Sequence, residues 1–235
     1  MLLALWSPKG GSGTSVVAAA CALVLARHGG ARLADLAGDQ PAIFGLPADP
    51  TPGLFDWLAA GPEAPADALD RLTEPAAPGV ALLPRGDAGS PLAPIAAAEA
   101  GAALAVLLRD GPVPTVVDAG AAAAPAARAV VEVADVSVVV LRGCYLALRR
   151  AVQSPLVARA AGALLVEEPG RSLGPSEIRD VIDRPVLARV PVRHGVARAV
   201  DAGVLPARLP DVLARPTTRL LARLGLVTER RGEAA

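Results

Sequence analysis

Lysine is almost missing from this sequence. Of its 23 Lys and Arg residues 22 are Arg, and the one lysine is Lys9. Arg carries a wide planar fork and Lys a compact point charge on a thin stem, so a single retained lysine suggests a place where Arg does not fit. Aromatic residues are also scarce, at 2%. The core must therefore be built from Ala, Val and Leu, and base-stacking platforms for nucleic acid are nearly excluded. The only cysteines, Cys21 and Cys144, form no CxxC pair, and with two histidines, His28 and His194, no zinc-ligand pattern exists. Both thiols fall in apolar helical or strand-edge settings and read as buried free cysteines. There is no excess of either charge: the formal net charge is +0 and the pI about 6.7, so no global basic field points to DNA or an anionic membrane. Long uncharged apolar runs are lacking too. The Ala-rich run after Ser15 stops at Arg27, too short to span a bilayer. The opening MLLALW has no charged flank and meets Ser7-Pro8-Lys9 at once, unlike a secretory signal. A cytoplasmic protein is expected.

What the chain does have is enough apolar residue for a full core. It is 235 residues long, 53% hydrophobic and 20% charged, as a globular chain is. Short apolar runs alternate with Ala/Leu-rich stretches. Strands are expected at 2–6, 31–36, 79–83, 114–118, 136–141, 162–166 and 186–190. Helices are expected at 15–28, 53–60, 65–72, 92–109, 123–133, 145–160, 175–183, 195–203 and 210–225. The strands do not alternate polar and apolar residues, as befits strands buried on both faces. Strand–helix alternation implies βαβ crossovers. The expected fold is α/β, a three-layer doubly wound and mainly parallel sheet of about seven strands. With no internal repeat and no long linker, residues 1–225 read as a single domain and 226–235 as a charged, disordered tail.

The first strand runs into Ser7-Pro8-Lys9-Gly10-Gly11-Ser12-Gly13-Thr14-Ser15 and then into a helix. This is the strand–loop–helix setting of a phosphate loop. Glycines allow positive φ and let the backbone approach phosphate oxygens. The N–H groups at the helix start point at an anion. Ser15 sits where a hydroxyl would coordinate Mg²⁺. The ordinary phosphate loop reads Gly-Lys-Ser/Thr at its end, whereas this one reads Gly13-Thr14-Ser15.

The stretch resembles the deviant Walker A loop, KGGxGK[ST], of the MinD/ParA family of P-loop ATPases. The resemblance extends over residues 1 to about 225. It implies that Lys9, Gly10, Gly11, Ser12, Gly13, Thr14 and Ser15 hold ATP. Lys9 matches the signature lysine that reaches a partner subunit's phosphates, and Thr14 replaces the ordinary phosphate lysine. Asp118, ending TVVD before Ala119-Gly120, is similar to the Walker B aspartate and would act with Ser15 on Mg²⁺. Asp35, ending strand two, resembles the first aspartate of the family's D-x-D switch. The second, which orients the attacking water, falls on Ala37; Asp39 is two residues further on and compensates only if the loop is rebuilt. Pro191 matches the loop flanking the base, and Glu167-Glu168 stand where an adenine-contacting Asn is common.

The resemblance therefore implies a nucleotide-binding localisation or scaffold protein, a homodimer with weak or absent hydrolysis. It is most similar to the TadZ/CpaE-like branch, whose members place pilus or secretion machinery, or septum machinery, at a polar or septal site. Many of that branch carry an N-terminal receiver-like domain; here the first strand begins at Met1, so none is expected. Two alternatives stay open. A ParA-like partitioning ATPase would bind DNA through basic residues such as Arg149, Arg150, Arg215, Arg219 and Arg223, although arginines at helical spacing read first as a solvated face. A MinD-like membrane switch would use TTRLLARLGLV, with Leu220, Leu221 and Leu224 on one face; this segment reads first as docked on the domain. A metabolic ATPase is less supported, because no second substrate site is marked.

Overall fold

The computed structural model describes residues 1–61, 65–87 and 92–228. Of the expected tail, residues 229–235 lie outside the described residues.

The chain begins with β1 (Leu2–Trp6), every residue of it buried. The helix α1 (Thr14–Ala26) follows the glycine loop, then β2 (Ala31–Asp35) and a short α2 (Gln40–Ile43). Next come α3 (Leu54–Ala59), α4 (Ala66–Arg71), β3 (Glu74–Ala77) and β4 (Val80–Leu83). The long α5 (Pro94–Arg109) leads to β5 (Thr115–Asp118), α6 (Pro125–Val133) and β6 (Val136–Arg142). The last third holds α7 (Tyr145–Gln153), a 3-10 turn at Pro155–Arg159, β7 (Gly162–Glu167), α8 (Pro175–Ile182), β8 (Val186–Pro191), α9 (His194–Asp201) and α10 (Asp211–Arg223).

The strands form one sheet in the order β3-β4-β2-β5-β1-β6-β7-β8. All pairings are parallel except β3 with β4. The chain fills one side of β1 with β2, β3, β4 and β5, then the other with β6, β7 and β8. The carboxyl ends beside β1 are thus the topological switch point, where doubly wound sheets open a crevice. One face of the sheet buries Leu2, Ala4 and Trp6 against α3, α5 and α6; the other buries Leu3 and Leu5 against α1. Burying a leucine fully stabilises the fold by about 1.5–3 kcal/mol, so the apolar runs leave these strands little choice of location. The helix α1 is apolar nearly all round because it lies between the sheet and α10, whose Leu213, Leu220 and Leu221 are buried against it. The C-terminal leucines therefore face inward. Among the described residues no helix is long and apolar enough to cross a membrane.

The sheet has eight strands rather than about seven. The additional one, β3, reads Glu-Pro-Ala-Ala. Its Pro75 suggests a break in the sequence, but an edge strand tolerates a proline because one row of its N–H groups has no neighbour. Gly79, with φ 76°, closes the turn into β4. The helix expected at 145–160 is split: Ser154 is extended, Pro155 cannot continue α7, and the chain resumes as a 3-10 turn. Neither cysteine is bonded. Cys21 is buried, whereas Cys144, expected to be buried, is only partly so.

Candidate functional site

Past the end of β1 the chain is pinned by Ser7, whose N–H donates to the Gly120 carbonyl at 2.8 Å. The Ser7 and Ser12 hydroxyls both donate to the Lys9 carbonyl, at 2.7 and 3.0 Å, and draw the loop into a cradle. Gly11 and Gly13 have φ of 73° and 87°, the left-handed region that any side chain would strain. The first bond of α1 runs from the Val17 N–H to the Gly13 carbonyl at 3.1 Å. The N–H groups of the preceding turn consequently have no partner within the helix and lie at its positive end. They border a cavity of about 760 Å³, walled by the loop, by the α2 region and by Ala119–Ala124 after β5. That volume suits a mononucleotide-sized ligand.

Thr14 is buried, lines this cavity, and its Oγ1 has no protein partner. A buried hydroxyl left unpaired costs about 1–3 kcal/mol, so an acceptor from outside the chain would be accommodated here. A phosphate fits that requirement: the cradle, the helix start and the orphaned hydroxyl all offer donors.

The carboxylates gather below the loop. Asp35 and Asp118 are register partners at the ends of β2 and β5, and both are buried. Asp35 accepts from the N–H groups of Ala37, Gly38 and Gln40 at 2.9, 2.7 and 2.9 Å. Burial and then the nearby Asp118 charge nevertheless push its carboxyl up to about 7, and the three N–H donors offset this only in part. Burial also raises Asp118, against the hydrogen bond from Gln40. The Gln40 Nε2 donates to Asp118 Oδ2 at 2.8 Å and to the Ser15 carbonyl at 3.0 Å. The Ser15 hydroxyl donates to Asp39 Oδ2 at 2.9 Å. A hydroxyl and clustered carboxylates that repel one another are the hard oxygen donors a Mg²⁺ ion uses and relieves; Ser15 and Asp118 fit that ion, and Asp39 lies beside them.

The structure thus brings together Gly10, Gly11, Ser12, Gly13, Thr14 and Ser15 on the cavity, while Asp35 and Asp118 are fully buried behind it, next in sequence to the lining residues Leu36 and Ala119. Ala37 also lines it and brings no carboxylate; a Cβ on Gly120 would come within 3.1 Å of its methyl. Two further predicted residues are also outside the lining. Lys9 is not among the lining residues; its Nζ donates back to the Gly10 carbonyl at 3.0 Å. Pro191 ends β8 opposite Glu167, also outside the lining. Sequence reasoning missed Gln40 and Arg142. Gln40 follows Asp39 without any pattern, and only the turn into α2 buries it. Arg142 had a signal, being the first charge after the apolar run of β6, at the carboxyl edge of a strand next to β1.

The sequence matches no protein-family model and none of the curated proteins. Among solved structures, a ParA family ATPase from Chlorobium tepidum TLS superposes with a TM-score of 0.76 over 95% of this chain and 98% of its own, at 21% identity. This chain has the ParA/MinD fold. The septum site-determining protein MinD from Pyrococcus horikoshii OT3, complexed with Mg-ADP, matches with a TM-score of 0.73, 20% identity and 95% of each chain covered. A variant of McdA from Cyanothece, complexed with ATP, matches with a TM-score of 0.76, 16% identity and 97% of each chain covered. Within the ParA/MinD fold the glycine loop lines the switch-point crevice described above, with Asp35 and Asp118 buried beside it.

Proposed function

We propose that this protein is a member of the MinD/ParA family that binds Mg-ATP and uses the bound state to locate or scaffold other proteins, with hydrolysis that is very slow or absent. The observation that carries the reading is the glycine loop at the start of α1, with Thr14 where a lysine is usual and Ala37 where a carboxylate is usual. Phosphoryl transfer depends on positioned charge and an oriented water, and this site has lost one group of each kind. Lacking one charge-assisted hydrogen bond, worth about 1.5–3 kcal/mol, it would bind nucleotide about tenfold to a hundredfold more weakly than an intact loop. The fold's occurrence in a Mg-ADP complex and in an ATP complex supports the choice of nucleotide.

The cargo is pilus, secretion or septum machinery of the TadZ/CpaE-like kind at a polar or septal site, and the working form is a homodimer. This rests on the pairing of a retained Lys9 with a degenerate loop. The inward-facing leucines of α10 favour this over a membrane switch carried on that helix.

Calorimetric titration with Mg-ATP, together with a phosphate-release assay, tests the reading. Measurable binding with turnover near background is expected, and Thr14→Lys should tighten binding about tenfold to a hundredfold. No binding at millimolar Mg-ATP would overturn the nucleotide reading. Turnover like that of an intact ATPase, abolished by Asp118→Ala, would overturn slow hydrolysis.

A further inference from the structure

The cavity contains a cation that the loop does not supply. Arg142, the last residue of β6, lines the cavity beside Gly13 and Thr14 and is its one cation among the described residues. In the β1–β6 register Trp6 is level with Val139, so the final residues of β6 run on past the end of β1 and flank the loop. On the other side Arg142 is level with Val166 of β7, whose Cγ2 lies 3.8 Å from the place a Cβ on Gly13 would occupy. Arg142 is thus one layer of side chains from the phosphate cradle.

Its side chain is only 31% exposed. The Nη1 donates to Glu168 Oε1 at 2.8 Å, while the Nε is buried and donates to nothing in the protein. Thr14 Oγ1, in the wall of the same cavity, is also buried without a partner. Two residues from separate elements that line one cavity each hold a buried polar atom without a protein partner, and buried polar groups in native proteins are rarely left so. A phosphate satisfies both: it accepts the planar fork of a guanidinium in two parallel bonds, and it accepts a hydroxyl. Glu168 is the competing anion. It also accepts from Arg171 Nε at 2.8 Å, and this bond, followed by the Arg142 and Lys9 charges, holds its carboxyl below the usual range.

We propose that Arg142 is the phosphate-binding cation of this site, replacing from β6 the charge that Thr14 no longer provides, and that Glu168 is the anion it exchanges for phosphate. The proposal rests on the nucleotide reading above and adds a residue to it. It accounts for a glycine loop kept without its own lysine, since the charge enters from the side.

Calorimetry with Mg-ATP and with inorganic tripolyphosphate tests it, on the wild-type chain and on Arg142→Gln, Arg142→Lys and Glu168→Gln. Arg142→Gln is expected to weaken both ligands about tenfold to a hundredfold, Arg142→Lys to weaken them less, and Glu168→Gln to tighten them. Thr14→Lys should tighten binding by a larger factor in the Arg142→Gln background than in the wild-type chain, because the two cations serve the same phosphate; an equal factor in both backgrounds would mean that Arg142 only supports the fold and would overturn the assignment. Unchanged affinity in Arg142→Gln, or weaker binding in Glu168→Gln, overturns the assignment and leaves the nucleotide reading standing. A wild-type chain that binds neither ligand overturns both. Should Arg142→Gln fail to fold, the Arg142→Lys and Glu168→Gln pair still decides by the sign of their changes.

Discussion

Asp35 and Asp118 are buried side by side at the ends of β2 and β5, and among the described residues no cation is bonded to either. A carboxyl whose folded value is raised from about 3.8 to about 7 binds a proton in the folded state that it has lost when unfolded. Over that interval the native state holds more protons, so stability falls as pH rises. In metal-free buffer the protein should melt higher near pH 5 than near pH 8. The Asp118→Asn variant removes the repelling charge, lowers the Asp35 carboxyl and should flatten that difference; scanning calorimetry at the two pH values checks it, and a steeper dependence in the variant would contradict the coupling. Added Mg²⁺ should also reduce the gap, because a divalent cation favours both ionised carboxylates. Both aspartates were legible in the sequence as charges ending apolar runs. Their mutual repulsion was not, since it needs β2 and β5 side by side although 83 residues of sequence number separate Asp35 from Asp118.

At the level of elements, α5 and α6 pack closely. A Cβ placed on Gly101 would lie 2.4 Å from the Ala126 carbonyl oxygen, so the two helices touch through backbone there. In an exposed helix, Gly to Ala stabilises by about 1 kcal/mol. Here the added methyl must push α6 away, and Gly101→Ala is expected to destabilise by about 1–3 kcal/mol. A lower urea midpoint with an unchanged slope would show it; a higher midpoint would mean that the helices separate freely. The helical period of α5 was readable from Leu104 and Leu108, but nothing in the sequence marks Gly101 as a contact rather than a weak point. The break in α7 is a milder case. Pro155 was visible, and its effect was overruled by the apolar pattern around it, which continues through Leu156 and Val157 because both are buried in the same core.

For the whole molecule, the proposed dimer depends on a lysine that the monomer does not use. Lys9 contacts its own loop at Gly10 and stays off the cavity wall. Light scattering with Mg-ATP should therefore show a shift from a 23.6 kDa particle to a dimer, and Lys9→Ala should lose that shift while retaining nucleotide binding by calorimetry. Identical monomers for both proteins would refute the cross-subunit role. The eight-strand sheet positions this loop: with β1 central and the chain turning from one side of it to the other, the phosphate cradle opens at the switch point, and α10 closes the opposite face over α1.

The local pattern was sufficient for seven of the eight strands, for most of the helices and for the glycine loop, because each follows from short-range physics: apolar runs that must leave water, glycines where φ turns positive, and a helix start with spare N–H groups. The resemblance to the MinD/ParA loop, rather than the local pattern, marked Thr14 and Ala37 as places where a lysine and a carboxylate are usual. Proximity between distant segments was decided only in the folded state. The edge strand β3 exists because β4 lends it a hydrogen-bonding edge. Gln40 bridges Asp118 and Ser15 because α2 turns it inward. Arg142 reaches the cavity because β6 outruns its neighbour β1. A residue's identity sets the chemistry it can do, and tertiary structure sets the groups it does it with.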